Sequence, residues 1–422
     1  MILKMSPVVN DKDTRPPITP LAIDQEIEVV IGPIAHGGHF IAHALGNTIF
    51  VRGGITGERV IIRISAKRKR IYNAVVSTVL DASPDRVSPI CSSSGKCGGC
   101  DFQYIAPDVQ RQLKLQVLQE SLVRFSGLDQ EQIQAILPTE IVLLGANAGE
   151  ASRSRARFMW DGQWNMRGYM NAELIPTPHC TVISEPMRST MAEVAKALPV
   201  VESGTAVEYS FVEGDSGVSV EAMGRPVMGP PKVVHSYNGF TYRTPVSSFW
   251  QSNPELIGSV MGFLDSHLAV ESGQRWWDLY SGAGVFAGYL CQRVGITGSV
   301  FSVEGDRQGS QSAKRAFHDC QNISVVNADV QDFLNTIENT QWIDGVLLDP
   351  PRVGAGQLVC ERIVELSPGL IAYLACDPVA LSRDIELLSS HYRLTKLAAY
   401  DAFPMTHHFE TVALLERRSN LS

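Results

Sequence analysis

The chain has 422 residues, of which 44% are hydrophobic and 19% charged, and its formal net charge is −8. This length exceeds what one ordinary hydrophobic core supports, so we expect two or three domains. No run of about eighteen apolar residues occurs, which excludes a transmembrane helix, and residues 1–21 have the composition of a flexible tail without a secretion signal. We therefore expect a cytoplasmic monomer with no membrane partner. In that compartment the eight cysteines would serve as thiols, metal ligands or catalysts.

Residues 22–82 alternate apolar and polar positions between glycine breaks. The pattern predicts four or five short strands in a small β-barrel of the oligonucleotide-binding type. Lys67, Arg68, Lys69 and Arg70 fall between two of these strands, where four cations can contact nucleic-acid phosphates, although a solvated hairpin tip is the alternative. The acidic net charge argues only weakly against such binding, because binding depends on where cations cluster. The segment resembles the TRAM domain of RNA-modifying enzymes.

A cysteine-rich loop opens the expected central α+β domain, residues 83–242. In C-S-S-S-G-K-C-G-G-C, the residues Cys91, Cys97 and Cys100 are separated by small residues that let the backbone curl around a cluster. A [4Fe-4S] cluster needs a fourth thiolate, and Cys180, in a polar loop, is the best candidate. A zinc site and three free thiols are the alternatives, but the C-x5-C-x2-C spacing is not that of a zinc ribbon and favours the iron–sulfur cluster.

Two further features of this region are structural predictions. Residues 107–125 carry apolar side chains at helical spacing and predict an amphipathic helix. Downstream, Arg153, Arg155 and Arg157 alternate along one predicted strand and so share a face. These arginines bind RNA phosphates or pair with local carboxylates, and the sequence leaves both interpretations open.

From residue 243 onwards, strands and helices alternate in an α/β pattern. W-W-D-L-Y-S-G-A-G-V-F predicts a strand, a tight turn in which Gly282 and Gly284 let a ligand approach the backbone, and a helix. Glu304 ends a second strand, where an acidic residue commonly binds ribose hydroxyls. Asp329 ends a third strand near the expected adenine, and Asp349, in D-P-P-R, ends a fourth. A dinucleotide dehydrogenase would lack D-P-P-R, so we predict a Rossmann-like methyltransferase domain, residues 243–422, that binds S-adenosylmethionine.

Cys376 in Y-L-A-C-D-P and Glu410 in H-H-F-E-T-V indicate the chemistry. Arg352 stands after D-P-P where enzymes that methylate amino groups carry an aromatic residue, which disfavours an exocyclic amine as the target. Carbon 5 of uracil becomes nucleophilic only after a thiolate adds to carbon 6, and its proton must then be taken by a base. Cys376 and Glu410 supply these two groups, although each alone could be a buried thiol or a surface carboxylate.

On these motifs the chain resembles the RNA uracil-5 methyltransferase family, in its iron–sulfur branch, from Ile23 to Glu416. The resemblance includes the TRAM-like segment, the cysteine spacing with its distant fourth cysteine, and S-F-W-Q at 248–251. It implies an RNA partner, with large-subunit ribosomal RNA favoured over transfer RNA. It departs at Val285, Ala375 and Asp377, where many relatives carry other residues. The resemblance implies that Cys376 is the nucleophile and Glu410 the base. It implies that four cysteines ligate the cluster: Cys91, Cys97, Cys100 and Cys180. It also implies that four residues contact the methyl donor or the target base: Gln251, Tyr280, Glu304 and Asp349.

A second hypothesis comes from a different class of protein. The chain could be an RNA-binding, redox-sensing iron–sulfur protein with an inactive methyltransferase domain. The presence of Cys376, Glu410 and Asp349 together argues against loss of activity. An iron–sulfur oxidoreductase is disfavoured because the sequence has no fingerprint for a second redox cofactor.

Overall fold

The computed structural model describes residues 19–69, 71–145, 149–198, 205–337 and 342–419. Arg70 of the basic loop, and all but the last three residues of the expected tail, lie outside these ranges. The chain divides into two compact units, Met1–Arg86 and Val87–Ser422. The further division that the sequence suggests, at residue 243, stays a prediction.

The first unit is a six-stranded sheet in the order β1-β5-β6-β4-β3-β2. Its pairs are antiparallel except for β4 with β6. The alternation that predicted strands buries Val60, Ile62 and Ile64 on one face of β5. Backbone bonds from Gly32 N to Ile41 O (2.7 Å) and from Ile41 N to Pro33 O (2.9 Å) bring the chain after β1 against β3. The strands are β1 (Glu26–Val30), β2 (Ile34–Ala35), β3 (His39–Ala44), β4 (Asn47–Arg52), β5 (Arg59–Arg68) and β6 (Ile71–Asp81).

The first half of the second unit contains an antiparallel sheet, in the order β10-β9-β8-β11-β12-β13, and a β14-β15 hairpin. Phe158, Trp164 and Phe211 form an edge-to-face aromatic cluster on this sheet, and Met187 and Met191 of α3 complete its core. The predicted helix over residues 107–125 is confirmed as α1. The elements are α1 (Pro107–Phe125), α2 (Gln130–Ile136), β7 (Val142–Leu143), β8 (Arg155–Trp160), β9 (Trp164–Arg167), β10 (Leu174–Pro176), α3 (Glu185–Ala197), β11 (Val207–Gly214), β12 (Gly217–Ala222), β13 (Arg225–Met228), β14 (Val233–Tyr237) and β15 (Phe240–Thr244).

The second half alternates strands and helices, as the sequence predicts. Its elements are α4 (Pro254–His267), β16 (Arg275–Leu279), α5 (Val285–Val294), β17 (Ser299–Glu304), α6 (Arg307–Ala316), β18 (Ile323–Asn327), α7 (Val330–Thr336), β19 (Gly345–Leu348), α8 (Gly356–Leu366), β20 (Leu370–Ala375), α9 (Pro378–Leu388), β21 (Tyr392–Asp401) and β22 (Glu410–Arg417). Within the described ranges, no helix has the length and apolar character needed to cross a membrane.

These strands form an eight-stranded sheet in the order β18-β17-β16-β19-β20-β22-β21-β7. Strands β16 to β20 pair in parallel, whereas β22 runs antiparallel between β20 and β21. The chain order reverses between β16 and β19, which makes a switch point where α/β sheets bind ligands beyond the carboxyl ends of the strands. β7, which precedes the α/β segment by about a hundred residues, completes the edge beside β21.

Candidate active site

A cleft of about 720 Å³ opens at the carboxyl ends of these strands. That volume is in the range of small-molecule and cofactor sites. Eight of the sequence-predicted residues line it: Gln251, Tyr280, Gly282, Glu304, Asp329, Asp349, Cys376 and Glu410. The strand order explains the convergence, because β16, β17, β19 and β20 all end at this edge of the sheet.

The loop after β16 is a tight turn built on left-handed backbone. Tyr280, Gly282 and Gly284 have φ angles of 61°, 55° and 87°. Gly284 caps α5, and a Cβ there would lie 2.7 Å from the ring of Phe317, so both the backbone angle and the packing require glycine. Gly284 is not among the residues lining the cleft, so its predicted contact with a cofactor stays a prediction.

Glu304 joins the glycine turn to the loop after β17. One carboxylate oxygen accepts a hydrogen bond from Gly282 N at 2.7 Å and the other accepts one from Asp306 N at 2.6 Å. Each oxygen keeps a further lone pair that can accept from a ribose hydroxyl. Asp329 caps α7 by accepting from Gln331 N at 2.8 Å. Both predicted acidic residues therefore lie at strand ends, facing the cleft.

Cys376 and Glu410 are brought together by strand register. β20 pairs with β22 so that Ala375 lies opposite Thr411, and Thr411 Oγ1 donates to Ala375 O at 2.9 Å. The next position on each chain is Cys376 on one side and Glu410 on the other. Cys376 is half-buried and Glu410 is 9% exposed, so a thiol and a carboxyl group face the cleft from adjacent strand ends.

The cleft shifts the pKa values of these groups. Burial, with a smaller contribution from Glu410, raises the pKa of Cys376 to about 11. Burial and the nearby Asp349 raise the pKa of Glu410 to about 8, and burial and Glu304 raise that of Asp349 to about 7. Arg352 opposes the shift in both Cys376 and Glu410. A cluster of strongly shifted pKa values in one cleft is typical of a functional site.

Three residues of this neighbourhood were not assigned site roles by the sequence reasoning. Arg352 lines the cleft, and its Nη2 lies 3.4 Å from Nε2 of His408. Burial lowers the pKa of His408 to about 3, so the ring is neutral. Asp278, fully buried in β16, has a pKa raised well above its ordinary value, first by burial and then by Asp349. Position within the D-L-Y and H-H-F-E motifs was the available signal for Asp278 and His408.

The four cysteines singled out from the sequence line one small pocket, together with Arg153. Burial raises the pKa values of Cys97 and Cys180, and raises that of Cys100 to about 11, whereas Arg153 opposes all three shifts. No group of three or more His, Cys, Asp or Glu side chains in the described ranges stands in an arrangement that could hold a metal ion. The structure therefore gathers these thiols in one place without placing them at metal-binding spacing.

The three alternating arginines form hydrogen bonds or ion pairs with other residues of the chain. Arg153 donates to Gly99 O at 2.9 Å, and Arg155 donates to Val246 O at 2.7 Å and to the carbonyl of Ser248. Arg157 lies 3.5 Å from Glu208 in an exposed ion pair. Pairing with a carboxylate therefore holds for Arg157, whereas the other two bind backbone carbonyls. Arg153 precedes β8, so the prediction that one strand carries all three arginines was wrong for it.

Comparisons with known proteins agree with this geometry. The family model described as tRNA (Uracil-5-)-methyltransferase matches residues 233–418. An uncharacterized RNA methyltransferase of Streptomyces avermitilis is 34% identical over 93% of this chain and 98% of its own length. The 23S rRNA (uracil(1939)-C(5))-methyltransferase RlmD of Shewanella piezotolerans is 28% identical over 93% and 96% of the two chains.

Among solved structures, the tRNA (uracil-54, C5)-methyltransferase of Pyrococcus abyssi, in complex with S-adenosyl-L-homocysteine, matches with a TM-score of 0.69. It is 20% identical, and the match covers 92% of this chain and 99% of that one. This likeness establishes the mixed α/β fold of S-adenosylmethionine-dependent methyltransferases. The family-model match and the full-length relatives show that the chain belongs to the RNA uracil-5-methyltransferase family.

Proposed function

We propose that the chain methylates carbon 5 of a uridine in large-subunit ribosomal RNA through a covalent adduct with Cys376. The observation that carries the mechanism is the position of Cys376 opposite Glu410 at two adjacent strand ends, both lining one cleft. Relatives named for 23S ribosomal RNA support the substrate. Because the cleft holds both reactive groups, the alternative of an inactive, redox-sensing protein is not adopted.

Each step assigns electrons and protons to a residue of this chain. Burial keeps the Cys376 thiol mostly protonated at neutral pH, so it first loses its proton to solvent. The resulting thiolate adds to carbon 6, and the electron pair of the 5,6 double bond moves towards O4, which makes carbon 5 nucleophilic. When bound, S-adenosylmethionine would supply the electrophilic methyl group to carbon 5, with S-adenosylhomocysteine as the leaving group. Glu410 then takes the proton of carbon 5, the double bond re-forms, and the Cys376 thiolate is expelled.

Asp349 is proposed to hold the edge of the uracil ring. An ionised carboxylate accepts a hydrogen bond from N3–H, and a protonated carboxyl group donates one to O4 as negative charge develops there. With a pKa of about 7, both forms exist near neutral pH. Glu304, Asp329 and the glycine turn are proposed to hold the methyl donor, since they surround the switch point where α/β sheets bind such ligands.

Two variants test the mechanism in one assay. Cys376→Ala should lower tritiated methyl transfer by more than about a hundredfold, because a covalent nucleophile is removed, while retaining S-adenosylmethionine binding by calorimetry. Glu410→Gln should form the methylated adduct and then stall, so a protein–RNA species should persist on a denaturing gel. Turnover by Cys376→Ala within about tenfold of wild type, or normal turnover by Glu410→Gln, would overturn the mechanism.

The choice of RNA needs its own experiment. Mapping of 5-methyluridine in ribosomal and transfer RNA from a deletion strain should show loss of one modified position in large-subunit ribosomal RNA. Restoration by the wild-type gene and not by Cys376→Ala would tie the loss to this site. Loss confined to transfer RNA would replace the proposed substrate.

We further propose that Cys91, Cys97, Cys100 and Cys180 hold a [4Fe-4S] cluster. Four thiols suit a cubane, they come from two segments some eighty residues apart and line one pocket, and Arg153 there offsets the charge of thiolates. The cluster would tie the two segments together. Anaerobic purification should give about four irons per chain, and Cys97→Ser should lose them. Zinc by elemental analysis would replace the cluster assignment.

The first unit is proposed to be a TRAM-like barrel that contacts RNA phosphates. Lys67, Arg68 and Lys69 are exposed at the β5–β6 hairpin, which is the position expected for such contacts. Replacing the three with alanine should weaken RNA binding and lower the slope of log K against log salt by about two to three, roughly 0.9 for each phosphate that is no longer neutralised. An unchanged slope would show that these three cations face solvent and do not contact RNA phosphates.

A further inference from the structure

We propose that Asp101, the residue after Cys100, is a positioning residue for Glu410, the base of the proposed function on which this inference rests. Its contacts with residues about 300 positions later carry the proposal. The Asp101 carboxylate accepts a hydrogen bond from His407 N at 3.0 Å, and its other oxygen lies 2.6 Å from His407 Nδ1. The side chains are 9% and 23% exposed, so water competes little for these bonds.

The backbone reinforces the same contact. The amides of Asp101 and Phe102 both donate to Met405 O, at 3.1 and 2.9 Å. Met405 has a φ of 66°, an unusual angle for this residue type, and its amide donates to Gln110 Oε1 at 2.9 Å. Hydrogen bonds with Asp101, Phe102 and Gln110 therefore hold the backbone at Met405, in the segment that leads to Glu410.

A series of side-chain contacts connects His407 to the cleft. The His407 ring lies 3.9 Å, centroid to centroid, from that of His408, and His408 contacts Arg352, the cation beside the nucleophile and the base. Glu410 follows two residues later, as the first residue of β22. A displacement of His407 would therefore move the base, whereas Cys376 lies directly after β20, on a separate segment of the chain.

This asymmetry gives a specific kinetic signature. Removal of the Asp101 carboxylate should slow proton removal and elimination, which need Glu410, more than adduct formation, which needs Cys376. We expect Asp101→Ala to slow elimination about tenfold or more, as small misplacements of a reacting group do, with adduct formation changed by less than about threefold. The covalent protein–RNA fraction should rise during turnover. Asp101→Asn, which can keep one of the two bonds, should lie between Asp101→Ala and wild type.

The experiment is a single-turnover assay with transcribed RNA and tritiated S-adenosylmethionine on iron-loaded enzyme, with samples quenched onto denaturing gels. His407→Ala and the double variant complete a mutant cycle, in which the two effects should not add if Asp101 acts through His407. Asp265→Ala is the control: it removes a carboxylate that bonds Tyr289 and Arg293, none of these three residues lines the cleft, and the variant should behave as wild type. Iron content and thermal unfolding are measured for every variant.

The outcomes separate this inference from the proposed function. If Glu410→Gln accumulates adduct and Asp101→Ala does not, the positioning role is wrong and the mechanism stands. If Glu410→Gln accumulates none, the mechanism itself fails. Equal loss of both half-reactions in proportion to folded protein or to iron, or additive effects in the cycle, would also overturn the positioning role. Should Asp101→Ala not fold, Asp101→Asn and His407→Ala carry the same comparison.

Discussion

The base of the proposed reaction has two charged neighbours of opposite sign, which makes its titration a sharp test. Asp349 raises the pKa of Glu410 and Arg352 lowers it. Asp349→Asn should therefore shift the pH dependence of elimination to lower pH, and Arg352→Met should shift it to higher pH. A residue that only supports the fold would change the amplitude of the profile without moving its midpoint.

The expected magnitudes follow from the pKa of about 8. A base must be ionised to accept a proton, so elimination should speed up as pH rises: about one eleventh of Glu410 is ionised at pH 7 and about ten elevenths at pH 9, a roughly tenfold rise. Asp349 lies within the protein and should move the midpoint by about one pKa unit, equivalent to about 1.4 kcal/mol. Arg352 is exposed, so solvent screening should limit its effect to about half a unit.

Elimination has to be measured apart from adduct formation, because Cys376 also titrates and its pKa of about 11 would dominate overall turnover. The adduct is accumulated by prolonged incubation at about pH 6, where few Cys376 thiols are ionised but the base is mostly protonated and elimination is slow. It is then moved by rapid mixing to a series of higher pH values. Its decay is followed on denaturing gels. Midpoints that stay fixed in both variants, or move in the same direction, would refute the assignment of Glu410.

Three further outcomes are expected. Lys114→Met should cost about 3–5 kcal/mol in urea unfolding because it leaves Asp401 buried and unpaired, both side chains being at most 2% exposed. Arg393→Met, which removes the exposed ion pair with Glu416 between β21 and β22, should cost less than about 1 kcal/mol. Glu410→Gln should raise the melting temperature of the protein above about pH 8. Because the pKa of Glu410 is raised in the folded state, the wild-type protein loses stability as the pH rises from about 5 to about 8, and glutamine cannot ionise. The difference in melting temperature should therefore vanish below about pH 5. Asp384→Ala should lower kcat/KM about tenfold while donor binding persists by calorimetry, because its carboxylate accepts a hydrogen bond from the backbone after D-P-P-R.

Motifs that end strands were predictable because local physics determines them. Glu304 and Asp349 each follow a short run rich in valine, leucine or phenylalanine, which is typical of a buried strand in an α/β sheet, and the carboxyl ends of parallel strands meet at one edge. Tyr280 and the glycines mark a tight turn by composition alone. The sequence therefore predicted the place of the cleft and eight of the residues that line it.

Contacts between distant segments were not predictable in the same way. The three alternating arginines illustrate the limit: periodicity placed them on one face, but only the fold shows that the carbonyls of Gly99 and Val246 are the partners of Arg153 and Arg155. The predicted four or five strands of the first unit became six because β2 has two residues, too few to show a period. The barrel, the cluster and the domain boundary at residue 243 stay predictions.

The contact between Asp101, in the cysteine loop, and His407, near the base, shows that a catalytic motif can be predicted from sequence while the residues that position it cannot. Cys376 and Glu410 are 34 positions apart, yet the pairing of β20 with β22 makes them neighbours. Asp101 and His407 have no such pattern, since a carboxylate and an imidazole in loops carry no periodic signal. A nucleophile and a base can thus be recognised from sequence, whereas the contacts that hold the base where it can act require the fold.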